Sequence, residues 1–318
     1  MMHRALLFLY AETPVHAGAD SSAGALDLPI QREVTTGFPV IKAESLKGAL
    51  RERFRPPRQQ RADRERWTGI FGAEPPAPGT RASDLKPGTL RVHEAQLVAF
   101  PAPTLTRTFA WVTSPLARAR LDRKARLAGV YLKAADGTGS AAALDGPECL
   151  SAGKDQARFV LGPYTVTARH DPATESWASR LAGVALPGID EMAFFRQKLS
   201  ADLFVCSDEL LGAISRDCAP VATRVQLGTG EDDGAPRKTV QHGPFQSEYL
   251  PAESLLAALL ECDDEADLGY VCAALDNDVL RLGGDETLGK GLLWCHVLRQ
   301  GAAAEDHQPE RTGVTPAP

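Results

Sequence analysis

Three stretches of the chain carry residue types that could do chemistry. In the first, residues 15–32, His16 and Asp27 flank a polar run containing Gly18, Asp20, Ser21, Ser22 and Gly24. RNA can be cut by its own 2′-OH, so a protein need supply no nucleophile. It must impose in-line geometry, provide a base for the 2′-OH and stabilise the departing 5′-oxygen. A carboxylate, a His and a bound metal ion can fill those roles. The same residues also suit an ordinary polar loop, and their types alone leave both readings open.

The second stretch, residues 45–51, reads Ser-Leu-Lys-Gly-Ala-Leu-Arg. Ser45 is a fair N-cap, and Leu46, Leu50 and Phe54 follow at helical spacing as a buried stripe. Lys47, Arg51 and Arg55 run beside it as a basic stripe. A helix N-terminus with Gly48 open to close approach could hold an RNA phosphate, although charged stripes commonly just face water.

The third stretch, residues 282–291, is glycine-rich. Gly284 to Lys290 fits G-x-x-x-x-G-K, but Gly291 stands where a P-loop needs Ser or Thr, and a strand pattern follows where a helix is required. The Gly-Gly-Asp-Glu run lacks the Phe and the length of chain that diguanylate cyclases have after it. What remains is a loop whose amides at Gly283, Gly284 and Gly289, with Lys290, could approach a backbone phosphate. A tight turn needing positive φ fits equally well.

The elements around these stretches predict an α+β fold. Residues 4–11 read as a buried strand and residues 45–55 as a helix stopped by Pro56-Pro57. Residues 58–88 read as loop, 90–98 as strand, 114–126 as a helix with a basic face and 134–155 as loop. A strand is expected at 201–206. Residues 221–227 and 237–240 form the arms of a hairpin, Arg224 on the first, with residues 228–236 as a flexible tip. Amphipathic helices are expected at 254–261 and 268–282 and a last strand at 292–298. Residues 301–318 are small and polar and read as a disordered tail. There is no long apolar run to cross a membrane. The six cysteines show no metal-site spacing and read as thiols in a reducing cytoplasm. Net charge is −6, but residues 1–133 carry +9 and residues 134–318 carry −15. That asymmetry suggests a local basic face for nucleic acid.

Taken together, Pro14 to Gly18, Asp27 to Glu33, Thr36 to Ile41, Ser45 to Arg51 and the terminal glycine-rich loop resemble the RAMP family, and more narrowly the repeated backbone subunit of type III-B (Cmr) CRISPR effector complexes. The resemblance covers residues 1–55 and 221–298 best. It implies a single domain over residues 1–300 with a ferredoxin-like (RRM-like) core, insertions at 56–88 and 114–200, and a protruding hairpin, or thumb, within 221–250. It implies that copies of the chain stack as a filament along a CRISPR guide RNA, with other effector subunits, and cut target single-stranded RNA with a divalent metal (Mg or Mn). Asp27 then carries over as the catalytic carboxylate, with His16, Glu248 and Tyr249 in support. Ser45, Lys47, Gly48, Arg51, Arg224, Gly283, Gly284, Gly289 and Lys290 carry over as RNA contacts. A structural RNA-binding subunit without cleavage, and a stand-alone guide-processing RNase of the same family, are the alternatives.

Overall fold

The fold is seen in a computed structural model that describes residues 2–19, 26–57, 59–73, 86–132, 144–154, 157–232 and 235–300. In chain order its elements are β1 (His3–Ala11), β2 (Val40–Ile41), α1 (Ala43–Arg53), α2 (Arg61–Phe71), β3 (Leu90–Val92), β4 (Ala95–Pro103), β5 (Phe109–Thr113), α3 (Pro115–Leu127), β6 (Glu148–Ser151), β7 (Ala157–Leu161), β8 (Tyr164–His170), α4 (Pro172–Ala185), α5 (Ala193–Ala201), β9 (Leu203–Val205), α6 (Asp208–Asp217), β10 (Val221–Asp232), β11 (Ala235–Glu248), β12 (Leu255–Cys262), α7 (Glu265–Leu275), β13 (Asp278–Arg281) and β14 (Leu292–Arg299).

The centre is the ferredoxin-like arrangement. Strands β14, β1, β12 and β4 lie side by side and antiparallel, with α1 after β1 and α7 after β12. The sheet continues from β4 through β5, β9, β6 and β8 to β7, and β13 closes its other edge.

Strand β1 explains why this sheet is central. Its alternate residues face opposite sides, and both sides are covered. Ala5, Leu7, Leu9 and Ala11 join the core beneath α1 and α7 with Leu46, Leu50, Leu268 and Val271. Leu6, Phe8 and Tyr10 join a second core beneath α3 and α4 with Leu121, Trp177 and Leu181. A strand buried on both faces is apolar throughout, as the sequence of β1 is.

The same fact overturns the helix expected at 254–261. Leu255–Cys262 is strand β12, inserted between β1 and β4. Leu256, Ala258 and Leu260 face one core and Leu255, Ala257 and Leu259 the other. A continuous apolar run does not distinguish a doubly buried strand from a buried helix. Three smaller corrections follow. Residues 58–88 contain helix α2, which buries Trp67, Ile70 and Phe71. Residues 268–282 split between α7 and β13. Residues 134–155 contain strand β6.

Strands β10 and β11 form their own two-stranded sheet, paired from Val221↔Glu248 to Asp232↔Ala235. The hairpin is therefore longer than its expected arms, since the ladder runs on through part of the expected tip. The tail at 301–318 lies outside the described residues. All six cysteines are free thiols, and burial pushes Cys149, Cys272 and Cys295 up to about 12. Among the described residues no helix is long and apolar enough to cross a membrane.

Candidate RNA-cleavage site at the hairpin base

The chain leaves β1 and enters the segment that holds His16 and Asp27. That segment is stitched to two distant parts of the chain. Val15 bridges Leu250, His16 bridges Gly284, and Leu28 lies parallel to Ser247. The Leu28 amide donates to Gln246 O (3.0 Å), and the Glu248 amide donates back to Leu28 O (2.9 Å). The expected cleavage loop therefore packs on the base of the hairpin and on the glycine-rich loop.

Asp27 is exposed. One carboxylate oxygen, Oδ2, accepts the Gln246 amide at 2.7 Å. His16 is half-buried, and its Nδ1–H donates to the Glu248 carbonyl at 2.7 Å. A carbonyl can only accept, so in the neutral ring the proton sits on Nδ1 and Nε2 keeps its lone pair. Asp27 and His16 thus bond to residues two apart on β11, about 7 Å along a strand.

The glycine-rich loop closes the other side. The Gly284 amide donates to His16 O (2.9 Å) and the Gly291 amide to Pro14 O (3.0 Å). Gly283 has φ +100°, and a Cβ there would lie 2.5 Å from His16 O, so only glycine permits this approach. A Cβ on Gly291 would come within 2.2 Å of Leu282 O. Gly289 faces open space. The strand that follows, β14, removes the P-loop reading for good.

Glu248 and Tyr249 sit differently from the catalytic part expected of them. Glu248 is 4% exposed and Tyr249 3%. The Glu248 carboxylate accepts from Arg32 Nη2 (2.6 Å) and from the Ile30 amide (3.0 Å). The Tyr249 hydroxyl donates to Asp285 (2.9 Å), and its ring lies 5.6 Å from that of His16. Both are internal braces of the site. Arg224 is paired through both terminal nitrogens with Asp285, and Lys290 lies 5.5 Å from the Tyr249 ring centre. Arg224 therefore ties the hairpin to the glycine-rich loop, and any contact it makes with RNA is shared with Asp285.

The helix expected to bind phosphate adjoins this site but is turned partly inward. Its first residue is Ala43, with Lys42 as N-cap, so Ser45 falls in the first turn and is not the cap. Ser45 Oγ instead accepts from Gln31 Nε2 at 3.0 Å. Lys47 Nζ donates to Leu90 O (3.0 Å), and burial with the neighbouring Arg51 lowers its pKa. Arg51 lies 4.4 Å over the Trp67 ring and reaches Phe71 O. Space above Gly48 is open. The basic face expected of α3 is partly turned inward: Arg120 pairs with Glu33 (2.6 Å), Arg118 lies over Trp177, and Lys124 donates to Ala257 O (2.7 Å), with burial pulling it down to about 8, while Arg123 and Arg126 are exposed.

Two residues lie within the Asp27 to Glu33 motif but take no role of their own from the sequence: Gln31 and Arg32. Gln31 is buried, and Arg32, its side chain 18% exposed, pairs with the buried Glu248. Nothing in a single polar residue's type announces burial; only the distant partners do.

Comparison with known proteins fits this arrangement. The family described as the RAMP superfamily matches residues 8–294. A curated relative from Pyrococcus furiosus, the CRISPR system Cmr endoribonuclease Cmr4, is 28% identical over 298 residues, covering 91% of this chain and 93% of its own. The crystal structure of oligomeric Cmr4 from Pyrococcus furiosus superposes with a TM-score of 0.67 at 24% identity, over 94% of this chain and 99% of that one. A chain of the type III-B Cmr-beta complex in its apo state gives a TM-score of 0.66 at 18% identity, over 93% and 97%. At these identities the two structures establish a shared fold. With the family matching nearly the whole described chain, this protein belongs to the RAMP superfamily.

Proposed function

We propose that the protein is a guide-RNA-binding backbone subunit of a type III-B CRISPR complex, and that it cuts bound target RNA through the Asp27 loop. The observation that carries this reading is one exposed carboxylate next to a pinned segment, residues 28–32. Asp27 projects to solvent, while its carboxylate accepts the Gln246 amide and the backbone of Leu28, which follows it, is bonded to β11. The curated relative is named as an endoribonuclease, and a chain of the Cmr-beta complex bound to cognate target RNA shares the fold with a TM-score of 0.64. The partners are guide RNA, target single-stranded RNA, further copies of the chain in a filament and other effector subunits.

In the proposed reaction the target's 2′-OH attacks the adjacent phosphorus and the P–O5′ bond breaks, giving a 2′,3′-cyclic phosphate and a free 5′-OH. Asp27 orients the 2′-OH and is placed to take its proton. His16, with Nε2 unprotonated when neutral, is the second group able to move a proton. The Lys290 ammonium favours the phosphate's charge, while the amides of Gly284, Gly289 and Gly291 are already engaged within the protein. The described residues contain no group of three or more His, Cys, Asp or Glu able to hold a metal ion. The described residues alone therefore form no metal cage: Asp27 could give Mg²⁺ or Mn²⁺ one ligand, and RNA phosphates could supply others.

The test is Asp27→Ala in the guide-loaded complex. Cleavage of target RNA should disappear while assembly and target binding persist. Undiminished cleavage in an intact complex would leave the protein as an RNA-binding scaffold. Specific processing of repeat RNA by the isolated subunit would instead favour a stand-alone RNase.

A further inference from the structure

We infer that Gln31 and Arg32 are positioning residues for cleavage, which locate Asp27 by tying its loop to helix α1 on one side and to the hairpin base on the other. The inference rests on the proposed role of Asp27.

The two residues are consecutive in an extended segment, so their side chains leave in opposite directions. Gln31 is 6% exposed. Its Nε2 donates to Gly18 O and to Ser45 Oγ, both at 3.0 Å, and its Oε1 accepts the Lys42 amide at 2.8 Å. It therefore joins the two limbs of the loop to each other and to the start of α1. Arg32 uses its fork on the other side. Nη1 donates to Gly37 O (3.1 Å), and Nη2 donates to Ser215 O (3.1 Å) and to Glu248 Oε1 (2.6 Å). The same Glu248 carboxylate accepts the Ile30 amide.

An exposed carboxylate on a loop is useful only if the loop is held. A misplacement of about 1 Å can cost on the order of 100-fold in rate. Asp27 has one hydrogen bond of its own, from Gln246. Among the described residues, further restraint comes through residues 28–32, where the Glu248 carboxylate holds the Ile30 amide and the polar side chains of the segment itself are Gln31 and Arg32. Lysine cannot replace Arg32, because a point charge does not reproduce a planar fork reaching three acceptors.

The test compares guide-loaded complexes carrying Arg32→Lys, Gln31→Met or Glu248→Gln with the wild type and with Asp27→Ala. The saturating single-turnover rate and the target affinity are read separately. Arg32→Lys should slow cutting by about 100-fold with target affinity unchanged, and Gln31→Met should act in the same direction. Adding Arg32→Lys to Asp27→Ala should cost nothing more, because both act through one carboxylate. A wild-type rate in Arg32→Lys, or a loss of target binding that accounts for the loss of cutting, overturns the inference. If Arg32→Lys fails to assemble, Glu248→Gln decides on the same two readings, since it keeps the shape and an acceptor for the Ile30 amide. Normal cutting by Asp27→Ala would sink the proposed role of the loop. A dead Asp27→Ala beside a normal Arg32→Lys would sink the positioning inference alone.

Discussion

The basic first part of the chain and the acidic second part meet in two very different ways. At the hairpin base Arg32 pairs with Glu248, whose side chain is 5% exposed. At the outer edge of the sheet Arg53 of α1 pairs with Asp278 of β13, both close to half exposed. Arg66–Asp267 and Arg91–Asp263 resemble the second case. Every one of these pairs joins residues 1–133 to residues 134–318. The charge asymmetry that suggested an RNA face thus reflects in good part how the chain closes, because β1 lies between β12 and β14 and brings the two parts together. Pairing at the edge tolerates solvent; pairing at the hairpin base ties residues 30–32 to β11.

The largest effect should come from breaking the buried pair. Glu248→Ala leaves the largely buried Arg32 guanidinium without its carboxylate and the Ile30 amide without its acceptor, and should cost about 3 kcal/mol in stability, measured by denaturant unfolding. A loss no larger than that at the edge would remove the distinction between the two regions.

Glu253, five residues beyond Glu248, is an unpaired counterpart. Its Oε2 is buried without a partner, and burial raises its carboxyl to about 7. The folded state then binds a proton that the unfolded state releases near pH 4.5, so stability should fall as pH rises from about 4.5 to about 7 and level off above. With partial exposure discounting the shift, Glu253→Gln should add about 1–2 kcal/mol at pH 8 and flatten that slope. Unfolding measured at pH 5 and pH 8 checks both.

Arg53→Ala should cost less than about 1 kcal/mol, and less still in high salt. The smallest effects concern RNA. Lys290→Ala should reduce the salt slope of guide binding by about 0.7, the value for one phosphate of a single strand. Lys47→Ala should change that slope less, because its ammonium is engaged by Leu90 O. Equal slopes for the two variants would place Lys47 on the RNA after all.

Much of this was legible in the sequence, for reasons that can be named. Strand β1 and the stripe of Leu46 and Leu50 announced themselves through apolar pattern. The glycines at 283 and 291 marked a loop because their backbone excludes a side chain. Asp27, His16 and the hairpin base were linked by resemblance alone, and the structure brings them together. Strand β12 was misread because burial on both faces erases periodicity. The inward turn of Lys47, Arg51, Arg118, Arg120 and Lys124 was invisible because a long basic side chain reads the same whether it meets water, a carbonyl or an indole. That Glu248 is a buried partner of Arg32 was invisible in the sequence, because the two lie 216 positions apart.

The most direct measurement is single-turnover cleavage of target RNA by a guide-loaded complex carrying Asp27→Asn. Asparagine keeps an acceptor for the Gln246 amide and removes only the charge and the basicity. The account predicts a loss of about 10²- to 10⁴-fold in rate, with target affinity and unfolding unchanged. Cleavage at the wild-type rate would contradict it.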